Sequence, residues 1–354
     1  MTRPDEETAA AVPMDPALQQ LALGYVPAQI LWTAAELGIA DGLADGPLAA
    51  GPLAERTGTD PAALRRLLRA LAGLGLVTQL DTERFALTDL GRQLRSGGPG
   101  SPREQIGLTI APELWQAWGA LTRTVRTGET HRIPGTGLTA HEALRRHPGL
   151  SARLHAGKAQ ATAAFAPGVP AAYDFSGFGT VVDLGGGDDG TLIAAVLTAV
   201  PALRAVLVDR QEPLDRTAAA LAGTGLADRW TAVADDPATA VPPGGDAYLL
   251  NNVVRDWDDR QALAVLRRCR AAMPPQARLL LVETLMPDVL TPEESAAYGL
   301  TDLNNLVFAG GRERTRDEYG RLLADSGFTL TSAVAVKVAD GVPDYHVIEG
   351  TPAG

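Results

Sequence analysis

From Thr180 onward the chain alternates short apolar runs with helical stretches, and the first run ends in a glycine-rich turn. Val181-Val182-Asp183-Leu184 leads into Gly185-Gly186-Gly187-Asp188-Asp189-Gly190, and Thr191 opens a helix. Glycines let a backbone approach a ligand closely, and a helix start offers unpaired N–H groups. Strand, turn and helix together therefore make a nucleotide-type binding edge. Such a turn alone is a weak signal, and the regular alternation after it is a stronger one. The spacing predicts strands at Val181–Leu184, Ala205–Asp209, Trp230–Ala234, Ala247–Asn251 and Arg278–Glu283. Helices are predicted between them at Leu192–Val200, Arg216–Ala222 and Arg260–Ala272. That rhythm implies an α/β, Rossmann-like domain, a doubly wound and mainly parallel sheet covered on both faces.

In such a sheet the ligand crevice lies at the carboxyl ends of the strands. Asp183, Asp209 and Asp236 fall at or just after successive predicted strand ends, and Asn251 closes the fourth. Surface carboxylates are common, so each has a bland explanation; three at successive strand ends make a pattern. An acid at the second strand end suits ribose hydroxyls, and one after the third can accept from an adenine amino group.

The N-terminal part reads differently. Leu18 to Leu37 is a long apolar stretch of helical character, stopped by Gly38 where a helix C-cap is expected. After Pro52 to Thr57, Asp60-Pro61 forms an N-cap with proline at the first helical position, opening a helix with Leu64, Leu67, Leu68 and Leu71 on one face. Leu74–Leu80 and Arg84–Leu87 read as two short strands joined around Asp81-Thr82, and Thr88-Asp89 opens another helix. Helix, turn, helix and a two-stranded wing make a mainly helical winged-helix arrangement. Arg65, Arg66 and Arg69 invite a DNA-binding reading, but the formal charge of 31 − 42 = −11 opposes nucleic acid. They read better as a solvated face of a dimerisation module, with Leu18–Leu37 as dimer surface.

Ser96 to Pro102 is a breaker cluster and the expected domain boundary. Helices are expected at Glu113–Val125, Ala140–Arg146 and Ala152–Phe165, with Gly128–Gly137 as loop. Trp115 and Trp118 have two readings, as wall of an aromatic substrate pocket or as core. No apolar run approaches the ~20 residues that span a bilayer. The lone Cys269 excludes an internal disulfide and a cysteine-built metal site, and no metal is expected; a cytoplasmic location fits. Residues 1–14 are polar and acidic and read as a disordered lead.

In this order the residues resemble the acetylserotonin/caffeate-type (class I) O-methyltransferases that use S-adenosylmethionine (SAM), in the bacterial branch that tailors polyketides and related natural products. The resemblance spans nearly the whole chain. It rests on Tyr173-Asp174-Phe175-Ser176, Val-Asp-Leu-Gly-Gly-Gly at 182–187, Asp209 and Asp246-Ala-Tyr-Leu-Leu250. Asp256-Trp257-Asp258-Asp259, Met273-Pro274 and Gly310-Gly-Arg-Glu-Arg-Thr315 continue it. The domain plan it implies is a winged-helix dimerisation domain over 15–98, a helical pocket region over 99–170 and a Rossmann-like methyltransferase domain over 171–354.

By resemblance, Gly185 and Gly187 pass close to SAM, Asp209 binds its ribose and Asp236 its adenine; Asp183, Asp189 and Asn251 complete the candidate cofactor set. Glu313 matches the family acid beside the general base. Asp302 and Asn305 sit on the helix that walls the acceptor pocket, and His155, Asn252, Phe165, Phe308, Trp115 and Trp118 are the other candidate lining residues. A homodimer through the N-terminal domain and a small-molecule substrate are implied, with no nucleic acid or membrane partner.

Three residues depart from the family pattern. Arg255 stands where the catalytic histidine normally precedes Asp-Trp; an arginine has no acceptor atom and cannot remove a proton. Asp189 stands at the third glycine of the turn. Lys158 replaces the usual methionine near the reactive methyl, bringing a cation toward a sulfonium that is itself positive. Either Lys158 pairs with Asp189 in the cofactor slot, or Lys158 reaches water and Asp189 caps the following helix. None of the five histidines lies near Arg255 in sequence.

Two functional readings are open, with Arg255, Glu313 and Lys158 as the candidate catalytic residues. In the first, SAM-dependent methyl transfer to a small aromatic or polyketide-type natural product proceeds by proximity, without a histidine base. In the second, methylation is lost and SAM is at most structural. Arg255 and Lys158 then serve a cyclase, rearrangement or decarboxylase as cationic hydrogen-bond donors. The first is the reading adopted.

Overall fold

Pro27 marks the first place where local chemistry overrides the apolar pattern. In the computed structural model, which describes residues 14–97, 101–186, 189–338 and 344–354, the expected single helix is two, Pro16–Ala22 and Tyr25–Glu36. A proline ring clashes with the carbonyl four residues back, here Leu23, and Gly24 is a poor helix former, so the chain turns between them. Leu18, Leu21, Leu23 and Tyr25 are left exposed. Of the expected disordered lead, residues 1–13 lie outside the described residues.

The Asp60 carboxylate accepts the Ala63 N–H at 2.8 Å, and the helix Pro61–Gly73 buries Leu64, Leu68 and Leu71. Arg65 on its other face pairs with Glu83. The strands β1 (Leu48–Ala49), β2 (Val77–Gln79) and β3 (Arg84–Leu87) form an antiparallel sheet in the order β1-β3-β2. Asp81 folds the β2–β3 wing by accepting the N–H groups of Glu83 and Arg84. The winged-helix arrangement is present.

The chain divides into two units after Ile110, not at the Ser96–Pro102 cluster. The helix Pro102–Thr109 stays with the first unit because it packs against the helix Tyr25–Glu36. Arg103, on the helix Pro102–Thr109, reaches back to Asp41, whose carboxylate also accepts from Ser96.

The second unit is built on a seven-stranded sheet. Its strands are β4 (Thr180–Leu184), β5 (Arg204–Asp209), β6 (Trp230–Ala234), β7 (Ala247–Asn251), β8 (Arg278–Thr284), β9 (Phe328–Ala335) and β10 (Tyr345–Pro352). The order is β6-β5-β4-β7-β8-β10-β9, with the first five parallel and β10 antiparallel to both neighbours. Side chains alternate along the strands. Val181, Leu207, Leu249 and Leu280 therefore enter one core with the helix Thr191–Ala199, and Val182, Val208, Leu250 and Leu281 enter a second with the helix Asp259–Ala272. The chain leaves β4 toward β5 and β6, then returns to its other side for β7 and β8. That reversal opens a crevice at the carboxyl ends of β4 and β7. Among the described residues no helix is long and apolar enough to cross a membrane.

Candidate functional site

A cavity of about 790 Å³ lies at those carboxyl ends, entirely within the second unit. From the sheet edge it is lined by Gly185, Asp209, Asp236 and Val253, and from the helices and loops beyond by Thr130, His141, His155, Lys158, Asp256 and Gly310. Its size suits a cofactor-sized ligand together with a small partner.

The glycine turn is folded onto its own strand. Asp183 is buried, and a Cβ at Gly186 would sit 2.3 Å from its Oδ1, so only glycine allows the turn to close over that carboxylate. Asp183 thus supports the turn from below rather than lining the cavity. Gly185 does line it; Gly187 lies outside the described residues. Asp209 ends β5, is almost fully buried and accepts the Arg210 N–H at 2.7 Å. Asp236 is exposed and holds its own turn through the Ala238 N–H at 3.0 Å. A close backbone turn, a buried acid at the second parallel strand and an acid after the third fit a SAM-type nucleoside.

Of the two alternatives for Lys158 and Asp189, the pairing does not occur and Asp189 caps the following helix, while Lys158 meets a carboxylate rather than water. Asp189 turns inward and accepts the Thr191 N–H at 3.0 Å and the Thr191 hydroxyl, at the start of the helix Thr191–Ala199. Lys158, on the helix Pro148–Ala163, reaches Asp256 with Nζ 3.0 Å from Oδ2. Burial opposes charge on Asp256, but Lys158, His141 and Arg255 outweigh it and hold the carboxyl below its usual range. Asp256 therefore offsets the Lys158 charge.

His141 joins this group, although it stands far from Asp256 in sequence. It sits in the first turn of the helix Ala140–Arg146, which the Thr139–Glu142 capping box fixes. Its ring lies 5.0 Å from that of Phe308, tilted by 46°. Burial pushes the imidazole down to about 3, with Lys158, Arg145 and His155 acting the same way and Asp256 against it. It is neutral at physiological pH, and its Nε2 is buried without a hydrogen-bond partner among the described residues.

Arg255 is placed otherwise than expected. It does not line the cavity, and its guanidinium is bound to Glu313. Glu313 also accepts from Thr284 Oγ1 at 2.6 Å and from Asn305 Nδ2 at 2.9 Å, and its own N–H donates to Asp302 at 2.7 Å. Burial lowers the Arg255 pKa, but Glu313 and Glu283 carry it above the ordinary arginine value. Glu283, fully buried and accepting from the Val254 N–H, is pushed up to about 8 by burial. Glu283 is thus mainly protonated at pH 7, and Arg255 and Glu313 balance each other.

The remaining candidates divide. His155 lines the cavity. Asn252 accepts from Arg255 at 3.5 Å, in a left-handed conformation with φ 51°. Asn251 is buried at the end of β7 and does not line the cavity. Phe308 does not line the cavity but packs beside the His141 ring. Trp115 is 40% exposed, and Trp118 packs against a small cluster around Leu114 and Val307, so neither lines the cavity. Phe165 is core, stacked on Tyr345. Sequence patterns give no role to three residues at or beside the cavity: His141, Asp256 and Arg314. Arg314 is buried and clamps the turn carrying Asp256, donating to the carbonyls of Val254 and Trp257 and to Asp259. Gly311 lets the two segments meet, since a Cβ there would lie 2.0 Å from the Arg255 carbonyl oxygen. The Gly-Gly-Arg-Glu-Arg-Thr and Asp-Trp-Asp-Asp runs are the sequence signals that point at this clamp.

The chain matches the family model for the O-methyltransferase domain over residues 118–329 and that for the O-methyltransferase dimerisation domain over residues 19–96. It is 38% identical to the phenazine O-methyltransferase PhzM of Lysobacter antibioticus, over 92% of this chain and 94% of that one. It is 34% identical to the aclacinomycin 10-hydroxylase RdmB of Streptomyces purpurascens, over 91% and 86%. Among solved structures, that of NcsB1, an O-methyltransferase from neocarzinostatin biosynthesis, in complex with SAM and 2-hydroxy-5-methyl naphthoic acid superposes with a TM-score of 0.79. The sequence identity is 30%, covering 97% of this chain and 100% of that one.

Proposed function

The chain belongs to the O-methyltransferase family, and from that premise we propose that it transfers a methyl group from SAM to a hydroxyl of a small aromatic natural product. One observation carries the reading. Gly185, Asp209 and Asp236 open into the same cavity as His141, His155, Lys158 and Asp256. Two ligands held there are neighbours by binding alone, and such positioning supplies much of the barrier reduction in a displacement.

SAM, when bound, supplies the electrophilic methyl group. Asp209 accepts from ribose hydroxyls, Asp236 from the adenine amino group, and the Gly185–Gly186 turn admits the backbone close to the ligand. Asp256 matches the charge of Lys158, so this pair presents little net charge toward a sulfonium. Arg145 and Arg146 on the same wall favour an acceptor with a carboxylate, as does the naphthoic acid bound by the neocarzinostatin relative. Two copies pair through the dimerisation domain, with exposed Leu18, Leu21, Leu23 and Tyr25 supplying apolar contact. A cytoplasmic setting suits a protein whose sole cysteine, Cys269, is buried and unpaired.

The non-methylating reading needs Arg255 and Lys158 as donors to a substrate. Both are committed to carboxylates, Glu313 and Asp256, and Arg255 does not line the cavity. The test is product mass with methyl-labelled SAM and hydroxylated naphthoic and phenazine carboxylic acids. Methyl transfer adds the labelled methyl group. A product that gains oxygen or loses carbon dioxide instead, or a protein that fails to bind S-adenosylhomocysteine (SAH) by calorimetry, would overturn the assignment.

A further inference from the structure

We propose that His141 is the general base of this methyl transfer, in place of the histidine that the family carries where this chain has Arg255. The inference rests on the functional reading above. Arg255 has no acceptor atom and is sealed against Glu313, so the proton of the attacking hydroxyl needs another destination. His141 lines the cavity shared with Gly185 and Asp209, and its Nε2 is buried with no partner among the described residues. A buried imidazole nitrogen without a partner is costly in a folded protein unless a ligand completes it.

The surroundings suit the role. The capping box fixes the helix, and Phe308 flanks the ring. The charged groups acting on it come from three elements. Lys158 and His155 lie on the helix Pro148–Ala163, Arg145 on the helix of His141, and Asp256 on the turn before Trp257. Burial, helped by the cations, keeps the resting ring neutral, while Asp256 favours the imidazolium formed during reaction.

The step balances. The Nε2 lone pair takes the hydroxyl proton as the oxygen pair forms the new O–C bond to the methyl carbon. The C–S bond breaks with its pair left on sulfur, giving the methyl ether and SAH. The imidazolium then returns its proton to water at the cavity mouth.

The test is His141→Phe, which keeps an aromatic ring against Phe308 and removes the acceptor. With a hydroxynaphthoic acid whose hydroxyl is protonated at assay pH, kcat is expected to fall roughly 10²–10⁴-fold, the range of general-base contributions. SAH affinity and the thermal midpoint should stay close to wild type. With a nitro-substituted phenolic acid already ionised at that pH no base is needed, and the variant should turn over within about tenfold of wild type. Equal losses on both acceptors, or none on the first, overturn the proposal while leaving methyl transfer intact. Failure of wild type to bind SAH overturns the functional reading instead. Where SAH binds and neither acceptor is turned over, nitrogen-15 NMR of the ring decides. With SAH bound, a His141 ring nitrogen signal that moves on adding a hydroxylated acceptor supports the proposal, and one that the acceptor leaves unchanged overturns it.

Discussion

Adjacent residues, Arg255 and Asp256, enter two ion pairs of different character. Arg255 turns into the protein, where Glu313, Thr284, Asn305 and Asp302 close a network around it. Asp256 turns the other way, to Lys158 and His141, and all three line the cavity. The first pair is closed off from the cavity; the second lines it. The position that the family's histidine normally holds therefore presents no side chain to the cavity in this chain, and neighbouring groups supply its polar atoms.

The largest expected effect breaks the sealed pair. Arg255→Met leaves Glu313 charged and buried beside Glu283, and removing one partner of a buried pair costs about 3–5 kcal/mol. Urea denaturation should show that loss. A variant as stable as wild type would mean that the network contributes nothing.

Glu283 sharpens the same side of the comparison. Its pKa, raised from the usual 4.5 to about 8, means that the folded state binds a proton that the unfolded state releases. This contribution is fully present below about pH 4.5 and is lost as pH rises toward 8, by up to about 1.4 kcal/mol per pH unit. Glu283→Gln keeps the acceptor for the Val254 N–H and removes the titration. Denaturation at pH 5 and pH 8 should show a smaller decline for the variant, leaving it more stable than wild type at pH 8. Parallel declines would place a charged Glu283 in the native protein.

Much of the fold is legible in the sequence, for identifiable reasons. The parallel strands carry dense apolar runs, and Trp230–Ala234 and Ala247–Asn251 match their predicted bounds. Helix starts with a capping side chain and a proline, such as Asp60-Pro61, are equally readable. The antiparallel edge is less so, since β9, Phe328–Ala335, is rich in threonine, serine and alanine and is only partly buried, without the dense apolar run of the parallel strands. At the cavity, Gly185, Asp209, Asp236, His155 and Lys158 are readable because they sit at strand ends or at motif positions. The partner of Lys158 is not. Asp256 lies 98 residues away in sequence, and a contact of that range has no local signature. His141 is hidden for the same reason, being remote from Arg255 along the chain but not through the fold.

The smallest expected effect is the most specific. SAM and SAH differ at sulfur by one methyl group and one positive charge, so the ratio of their affinities reports the charge that the cavity wall presents there. Lys158→Met removes the cation and leaves the Asp256 carboxylate uncompensated. At ~10 Å and an effective dielectric of ~20 a unit charge is worth about 1.7 kcal/mol. Calorimetric titration of both ligands into wild type and Lys158→Met should therefore move the ratio roughly tenfold toward SAM in the variant. An unchanged ratio would contradict the placement of the Lys158–Asp256 pair at the methyl-transfer end of the cavity.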